Sequence, residues 1–256
     1  MTAKLALERA LAEAHPGCRI AGIDEAGRGP LAGPVFAAAV SLPLALAEEL
    51  ADCAWREIDD SKRLSPARRE RLAETVKSTP GCSFAVCSAS AEEIDRLNIL
   101  NATHLAMRRA CEALLAGAGE GAAFAAIVDG LPVRNLPFPS EAAVKGDSRS
   151  LLVGAASILA KCARDSYCET MDAAWPDYGF SRHKGYGTPE HLDALARLGP
   201  CPEHRKSFAP VRQRYFDFNT RPAGGKGTDR DENEHGDSPV GRPFDGDQPI
   251  ARRSGC

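Results

Sequence analysis

The chain has 256 residues, 43% of them hydrophobic, enough to bury a substantial core as one catalytic domain with length left over for tails. Its formal net charge of −3 gives no global attraction for a polyanion, so any nucleic-acid site has to be a local basic patch. No apolar run, including the longest around Val35 to Leu44, approaches the roughly twenty residues of a membrane span, and Met1 to Gly17 lacks the unbroken apolar core of a secretory signal.

The expectation is therefore a cytoplasmic protein with no membrane association. Nine cysteines form an odd set with no Cys-x-x-Cys pair, which predicts free thiols rather than a disulfide framework or a zinc site.

From the N-terminus, residues 1 to about 17 read as a short amphipathic helix carrying Leu5, Leu7 and Leu11, stopped by His15-Pro16-Gly17 and forming an accessory extension over 1–18. Arg19 to Ile23 reads as a strand, then a glycine-rich turn, then a second strand over Val35 to Leu42, a hairpin-like opening. Ser65-Pro66 marks a helix start, and Leu72 and Val76 share its buried face. Ser83 to Ala89 is a strand. Ser90 and Glu93 form a capping box opening a helical region that runs to Gly117.

Phe124 to Val128 reads as a fully buried strand and Ala142 to Lys145 as a short one, after which Ser150 caps a long helix to about Met171. Strands alternating with helices predict an α/β domain on a mixed sheet, spanning 19–220. From Thr220 the composition turns to Gly, Pro, Asp, Arg and Asn, so 221–256 reads as a disordered polar tail.

The densest local signal is GIDEAGRGPLAGPV, Gly22 to Val35. Gly22 to Gly27 has the spacing of a P-loop but is followed by Arg28-Gly29 rather than Lys-Ser or Lys-Thr, and Gly27, Gly29 and Gly33 have one residue too many for a dinucleotide fingerprint. What remains is an acidic pair, Asp24 and Glu25, beside a loop whose glycines admit close backbone approach. Adjacent strand residues face opposite ways, so the two carboxylates share an ion only if the chain bends directly after Asp24, a bend the glycines are expected to supply. Hard oxygen donors without nearby His or Cys suit Mg²⁺ or Mn²⁺.

An isolated Asp-Glu pair is equally well a solvated turn. Two more acids shift that balance: Asp129 ends the buried strand, and Asp147 follows Lys145-Gly146 just before the long helix, although a cap or turn aspartate is a serious plainer reading there. Carboxylates converging from strand ends suit metal-assisted phosphodiester hydrolysis, which needs no protein nucleophile.

With DSKRLS (Asp60 to Ser65), VDG (Val128 to Gly130), VKGDSRS, AASILAKCARD (Ala155 to Asp165), HKGYGTPEH (His183 to His191) and HRKSFAPV (His204 to Val211), these blocks resemble, in order over about residues 19–212, the motif series of the ribonuclease HII family. The resemblance implies an RNase H-like mixed β-sheet flanked by helices, with a small C-terminal helical part. It implies an endonuclease for the RNA strand of RNA-DNA hybrids that also incises 5′ to single ribonucleotides in duplex DNA, leaving 5′-phosphate and 3′-hydroxyl ends.

It also implies Asp24, Glu25, Asp129 and Asp147 as catalytic and metal-binding acids for Mn²⁺ or Mg²⁺. Gly27, Arg28 and Gly29 are implied at the 2′-hydroxyl, Lys62 at the substrate, and Tyr186 against the sugar that follows the ribonucleotide. Without the resemblance, Tyr186 reads as a core tyrosine anchoring a turn.

Lys62, Arg63, Lys145, Arg149, Lys161, Arg164, Lys184 and Arg205 are candidates for the local basic patch. Asp165 reads as support within the long helix, and His183, His191 and His204 lack zinc-ligand spacing. Departures from the family pattern are small, at Gly154, Cys162 and Ala163, and none touches an implied ligand. Competing readings are a structure-specific DNA nuclease on a related fold and a non-catalytic hybrid binder; the latter would lack at least one of the four acids. A monomer is the simpler expectation.

Overall fold

Runs of small and β-branched residues form the strands here, and recurrences of apolar residues on one face form the helices. The computed structural model describes residues 3–59, 61–219 and 250–252. In chain order it comprises helix α1 (Ala6–Ala14), strands β1 (Arg19–Ala26) and β2 (Val35–Ser41), helices α2 (Leu44–Leu50) and α3 (Pro66–Ser78), strand β3 (Ser83–Ala89) and helices α4 (Ala91–Leu97) and α5 (Ile99–Gly117). Strands β4 (Phe124–Asp129) and β5 (Ser140–Ala143) follow, then helices α6 (Gly146–Arg149), α7 (Leu151–Ala174), α8 (Phe180–His183), α9 (Pro189–Leu198) and α10 (Ala209–Asn219), and strand β6 (Ile250–Arg252).

The sheet order is β5-β4-β1-β2-β3-β6. β1, β2 and β3 form an antiparallel meander, and β4 and β5 add parallel to β1, giving the mixed sheet expected from the sequence. The parallel step from β3 to β4 is made through α4 and α5, as a parallel connection requires. One face of the sheet packs Ile20, Val40, Phe84 and Ile127 against α7 and its neighbours. The other packs Ile23, Ala39, Ala85 and Val128 against α5. Both faces are covered over β2, β3 and β4, which is why these strands read as mostly apolar runs. Among the described residues no helix is long and apolar enough to cross a membrane, and the described cysteines are all free thiols.

Three caps form as the sequence predicts. Ser65 accepts from the Arg68 amide with Pro66 at the first helical position, Ser90 and Glu93 make a reciprocal capping box, and Ser150 accepts from the Val153 amide. The helical region after Ser90 is broken at Asn98, whose positive φ of 67° ends α4 while its side chain caps α5.

Four expectations need correction. β1 runs past Ile23 to Ala26, with its ladder to β2 intact as far as Ala26 and Phe36, so no bend follows Asp24. β5 ends at Ala143 rather than Lys145, because Lys145 takes a left-handed φ of 56° and Gly146 opens α6; Asp147 sits in that short helix. Helix α1 is docked rather than accessory: Leu5 and Leu11 are buried. Buried Glu8 accepts from Ser150 Oγ at 2.7 Å and the Leu152 amide at 3.1 Å, at the electropositive start of α7. Burial pushes the Glu8 carboxyl above its ordinary range, against those hydrogen bonds. Finally, Ile250–Arg252, inside the stretch read as a tail, pairs antiparallel with β3; the rest of 220–256 lies outside the described residues.

One contact sets the depth at which the sheet meets α7. A β-carbon on Gly22 would lie 2.2 Å from the Leu152 carbonyl carbon and 2.3 Å from the Val153 nitrogen. Backbone cannot retreat as a flexible side chain can. Gly22→Ala is expected to force α7 off β1 at a cost of about 1–3 kcal/mol or more, lowering the thermal midpoint followed by circular dichroism by roughly 2–4 °C per kcal/mol. An unchanged midpoint would show that α7 is free to shift.

Candidate functional site

Alternation along β1 puts Ile20, Gly22 and Asp24 on the α7 face. Because Gly22 lets α7 approach, the Ser157 hydroxyl reaches the Asp24 carboxylate, which also accepts from the Glu25 amide at 2.7 Å. Ser157 Oγ in turn lies 2.8 Å from Ser61 Oγ, tying the segment that begins at Ser61 to the same place. The parallel register of Ile23 with Val128 brings Asp24 and Asp129 side by side at the carboxyl ends of β1 and β4. Asp129 accepts from the Gly146 amide at 2.6 Å, so the start of α6, with half-buried Asp147 next in the chain, is drawn to the same strand ends.

Glu25 faces the other way along β1, and Arg28 Nη1 holds it at 3.2 Å. The electrostatics report the crowding. Asp24 is 5% exposed, and its carboxyl is pushed well above the usual carboxylate range by burial first, then by the fields of Glu25 and Asp129. Burial raises Glu25 too, with Asp129 adding to it and Arg28 and Lys62 opposing.

Among the described residues, no three His, Cys, Asp or Glu side chains stand together as a ready metal shell. The continuous β1 ladder explains part of this, since it keeps Asp24 and Glu25 on opposite sides, and each of Asp24, Glu25 and Asp129 already has a protein donor. The donor set nevertheless fits a hard divalent cation chemically: it is all oxygen, it is mutually repelling, and a cation relieves that repulsion.

Beside the acids lies a cleft of about 250 Å³. Glu25, Gly27, Arg28, Gly29, Lys62, Lys161, Lys184 and Tyr186 line it, so most of the residues implied by the motifs share one cleft, while Asp24, Asp129 and Asp147 do not line it. Tyr186 is 48% exposed, which removes the core-tyrosine reading, and a β-carbon on Gly29 would stand 3.5 Å from its ring. Gly27 has to be glycine: its φ is +94°, and a β-carbon there would meet Arg164 Nε at 2.8 Å.

Two of the eight candidate surface cations are not on the surface. Arg164 is 2% exposed and donates through Nη2 to the Ala32 and Lys184 carbonyls. Arg205, fully buried, donates to the carbonyls of Gly27, Arg28, Pro30 and Gly33. Both frame the loop. Asp165 is engaged by Arg69 at 2.8 Å and by Lys161, which makes it a support as expected. Arg63, Lys145 and Arg149 are exposed and do not line the cleft.

The histidines form a buried chain. His183 and His191 stack at 4.3 Å, His191 Nε2 meets His204 Nε2 at 3.0 Å, His191 Nδ1 meets the Tyr186 carbonyl at 2.9 Å, and the Cys201 amide donates to His204 Nδ1 at 3.0 Å. These backbone partners fix the tautomers. A carbonyl partner requires a proton on His191 Nδ1, an amide donor requires none on His204 Nδ1, and His204 Nε2–H then donates to His191. Each ring carries one proton, in keeping with values pushed down by burial to about 4 for His191 and about 3 for His204.

Ser157 was not singled out from the sequence. Its one signal is a lone hydroxyl in the apolar run Leu151 to Ala160.

The chain is similar to known proteins over most of its length. The ribonuclease HII family model matches residues 21–211. The chain is 49% identical over 209 residues to ribonuclease HII of Rhodospirillum rubrum, covering 82% of this chain and 90% of that one. It is 53% identical over 195 residues to ribonuclease HII of Paramagnetospirillum magneticum, covering 76% and 92%. In fold it resembles ribonuclease H2 from Pyrococcus horikoshii OT3, with a TM-score of 0.63 at 23% identity over 79% of this chain and 100% of that one.

The crowded carboxylates carry a stability consequence. The folded pKa of Asp24 exceeds its unfolded value of about 3.9, so its favourable contribution is complete below that pH and is lost as pH rises through the folded value. Asp24→Asn removes the penalty, and the variant should be more stable than the parent at pH 8 by about 0.5–2 kcal/mol, the difference shrinking as pH falls. Added Mn²⁺ should raise the melting temperature of the parent more than that of the variant. Equal shifts in both proteins would place the cation elsewhere.

Proposed function

The chain belongs to the ribonuclease HII family, and from that premise we propose that it incises duplex DNA on the 5′ side of an embedded ribonucleotide, leaving 5′-phosphate and 3′-hydroxyl ends. The coarser activity comes with the family: this is a type 2 ribonuclease H, an enzyme acting on RNA-DNA hybrids. The observation that supports the finer reading is the one cleft that Glu25, Gly27, Arg28, Gly29, Lys62 and Tyr186 line together.

Asp24, Glu25, Asp129 and Asp147 are the residues to hold Mg²⁺ or Mn²⁺. Bound there, a divalent ion supplies Lewis acidity, lowering the pKa of water and stabilising charge on the phosphate oxygens. The chain's own groups do the selecting. Glycines at 27 and 29 let backbone come close to a sugar edge, and the 2′-hydroxyl is the group that separates RNA from DNA. Lys62, Lys161 and Lys184 line the same cleft and suit phosphate contacts, which position a duplex without reading its sequence.

The exposed Tyr186 ring, beside Gly29, offers a flat apolar face for the next sugar, one that favours a deoxyribose. On this reading the cleft lysines are the local basic patch of a protein whose net charge is −3. Salt should therefore weaken substrate binding through few phosphate contacts and with a shallow slope.

The test is cleavage of a labelled DNA duplex containing one ribonucleotide, in Mg²⁺ or Mn²⁺, beside an all-DNA duplex and an Asp129→Asn variant. We expect incision 5′ to the ribonucleotide, none in the control, and a loss in the variant of at least about a thousandfold, the scale of removing a group that acts on the transition state. Equal cutting of the all-DNA duplex would indicate a structure-specific DNA nuclease. A 2′,3′-cyclic phosphate end would mean that the substrate's own hydroxyl attacks, and would overturn the mechanism.

A further inference from the structure

Arg205 lies outside the acidic cluster and, being fully buried, is placed to touch the protein and not the substrate. Its guanidinium is spent on backbone. Nη2 donates to the Gly27 carbonyl at 2.6 Å, Nη1 to those of Arg28 at 2.8 Å and Pro30 at 2.7 Å, and Nε to that of Gly33 at 2.9 Å.

A trans peptide holds its C=O and the following N–H antiparallel in one plane, so aiming a carbonyl also aims an amide. Fixing the Gly27 and Arg28 carbonyls on Arg205 turns the Arg28 and Gly29 amides away from it, and neither has a hydrogen-bond partner among the described residues. Arg28 and Gly29 both line the cleft. Fixing the Pro30 carbonyl aims the Leu31 amide at the Gly185 carbonyl, which it reaches at 2.8 Å, one residue before Tyr186.

The neighbouring residue completes the frame. His204 bridges to Ala32, and its ring joins His191, which bonds the Tyr186 carbonyl. The Arg205 amide itself donates to the Leu31 carbonyl at 2.9 Å. The short segment 204–205 thus grips the glycine loop with one side chain and the tyrosine turn with the other.

We propose that Arg205 is a positioning residue for ribose recognition: it orients the Gly27–Pro30 peptide planes so that two amide donors face the cleft, and with His204 it holds Tyr186 in the same frame. The ligand these donors suit is an acceptor oxygen on a ribose or its phosphate. The proposal rests on the reading above that the loop and Tyr186 touch the substrate.

The experiment is steady-state cleavage of the single-ribonucleotide duplex by the full chain and by Arg205→Lys, Gly29→Ala and Tyr186→Ala, with melting temperatures measured alongside. Lysine keeps the charge but has one nitrogen with three donors and cannot hold four carbonyls at fixed angles. We expect Arg205→Lys to raise KM about tenfold or more while kcat stays within about threefold, as loss of positioned binding requires. A general folding lesion would instead lower kcat at constant KM, and that result would overturn the proposal.

If Gly29→Ala and Tyr186→Ala impair cleavage but Arg205→Lys does not, the positioning role falls while the substrate reading stands. If none of the three matters, the substrate reading itself falls. Should Arg205→Lys fail to fold, hydrogen exchange on the unmodified protein decides. The ribonucleotide duplex should protect 27–33 and 185–191 together, beyond the protection given by an all-DNA duplex; protection of one segment without the other would overturn the coupling.

Discussion

The backbone of α7 lies against β1 at Gly22 with no room for a β-carbon, and the rest of the site is arranged by that contact. It fixes the height of α7 over the sheet. From that height Ser157 reaches Asp24, and two turns further on Arg164 reaches the carbonyls of Ala32 and Lys184. The start of the same helix is held from below by Ser150 and by the Glu8 carboxylate of α1. A helix seated by backbone contact has less freedom than one seated by side chains, since interiors are packed to crystal-like density and backbone has no rotamers to change. The position of an acid at a strand end is inherited from this seat.

The charges inside the molecule follow two different logics. Asp24, out of water and beside Asp129, opposes the stability of the unliganded protein, as a group with a raised carboxyl pKa does. Arg205 is also out of water, but desolvation of several kcal/mol is set against four charge-assisted hydrogen bonds of roughly 1.5–3 kcal/mol each. The arginine is thereby brought near balance. The carboxylates have fewer compensating donors: Asp24 has a hydroxyl and one amide, Asp129 one amide. Uncompensated charge of one sign gathered at strand ends marks the place where an ion of the other sign gains most.

Much of this was legible from residues alone, for identifiable reasons. Ser65, Ser90 and Ser150 start helices because local hydrogen bonding decides caps, and local chemistry is written in adjacent letters. Asp129 stands at a strand end because the buried run before it has nowhere else to finish. What escaped depended on distant contacts. The glycines suggested a bend directly after Asp24, yet pairing with β2 carries β1 to Ala26, so tertiary hydrogen bonds override local permissiveness. Arg164 and Arg205 read as surface cations because a letter gives charge and not direction. For Arg164 a signal existed: Ser157, Ala160, Arg164, Cys168 and Met171 recur at helical spacing along the buried stripe of α7. For Arg205 there was none, since its partners are carbonyls 172 to 178 residues away.

The division between arginines and lysines in and around the cleft follows from their shapes. A guanidinium is a rigid fork of five donors, able to hold several carbonyls at fixed angles, and it retains its proton when buried. Arg205 remains charged at neutral pH even with burial pushing it down to about 9. A lysine ammonium is a mobile point charge, poor at fixing a loop and well suited to phosphates whose spacing varies along a duplex. Lys62, Lys161 and Lys184 line the cleft beside the exposed Arg28, buried Arg164 contributes to its floor while holding carbonyls, and Arg205 stands wholly behind it. On the proposed reading the recognition surface is a glycine-loop backbone fixed from behind by Arg205, with Arg28 and three lysines around it, and the basic character of the site is confined to a few side chains in an acidic chain.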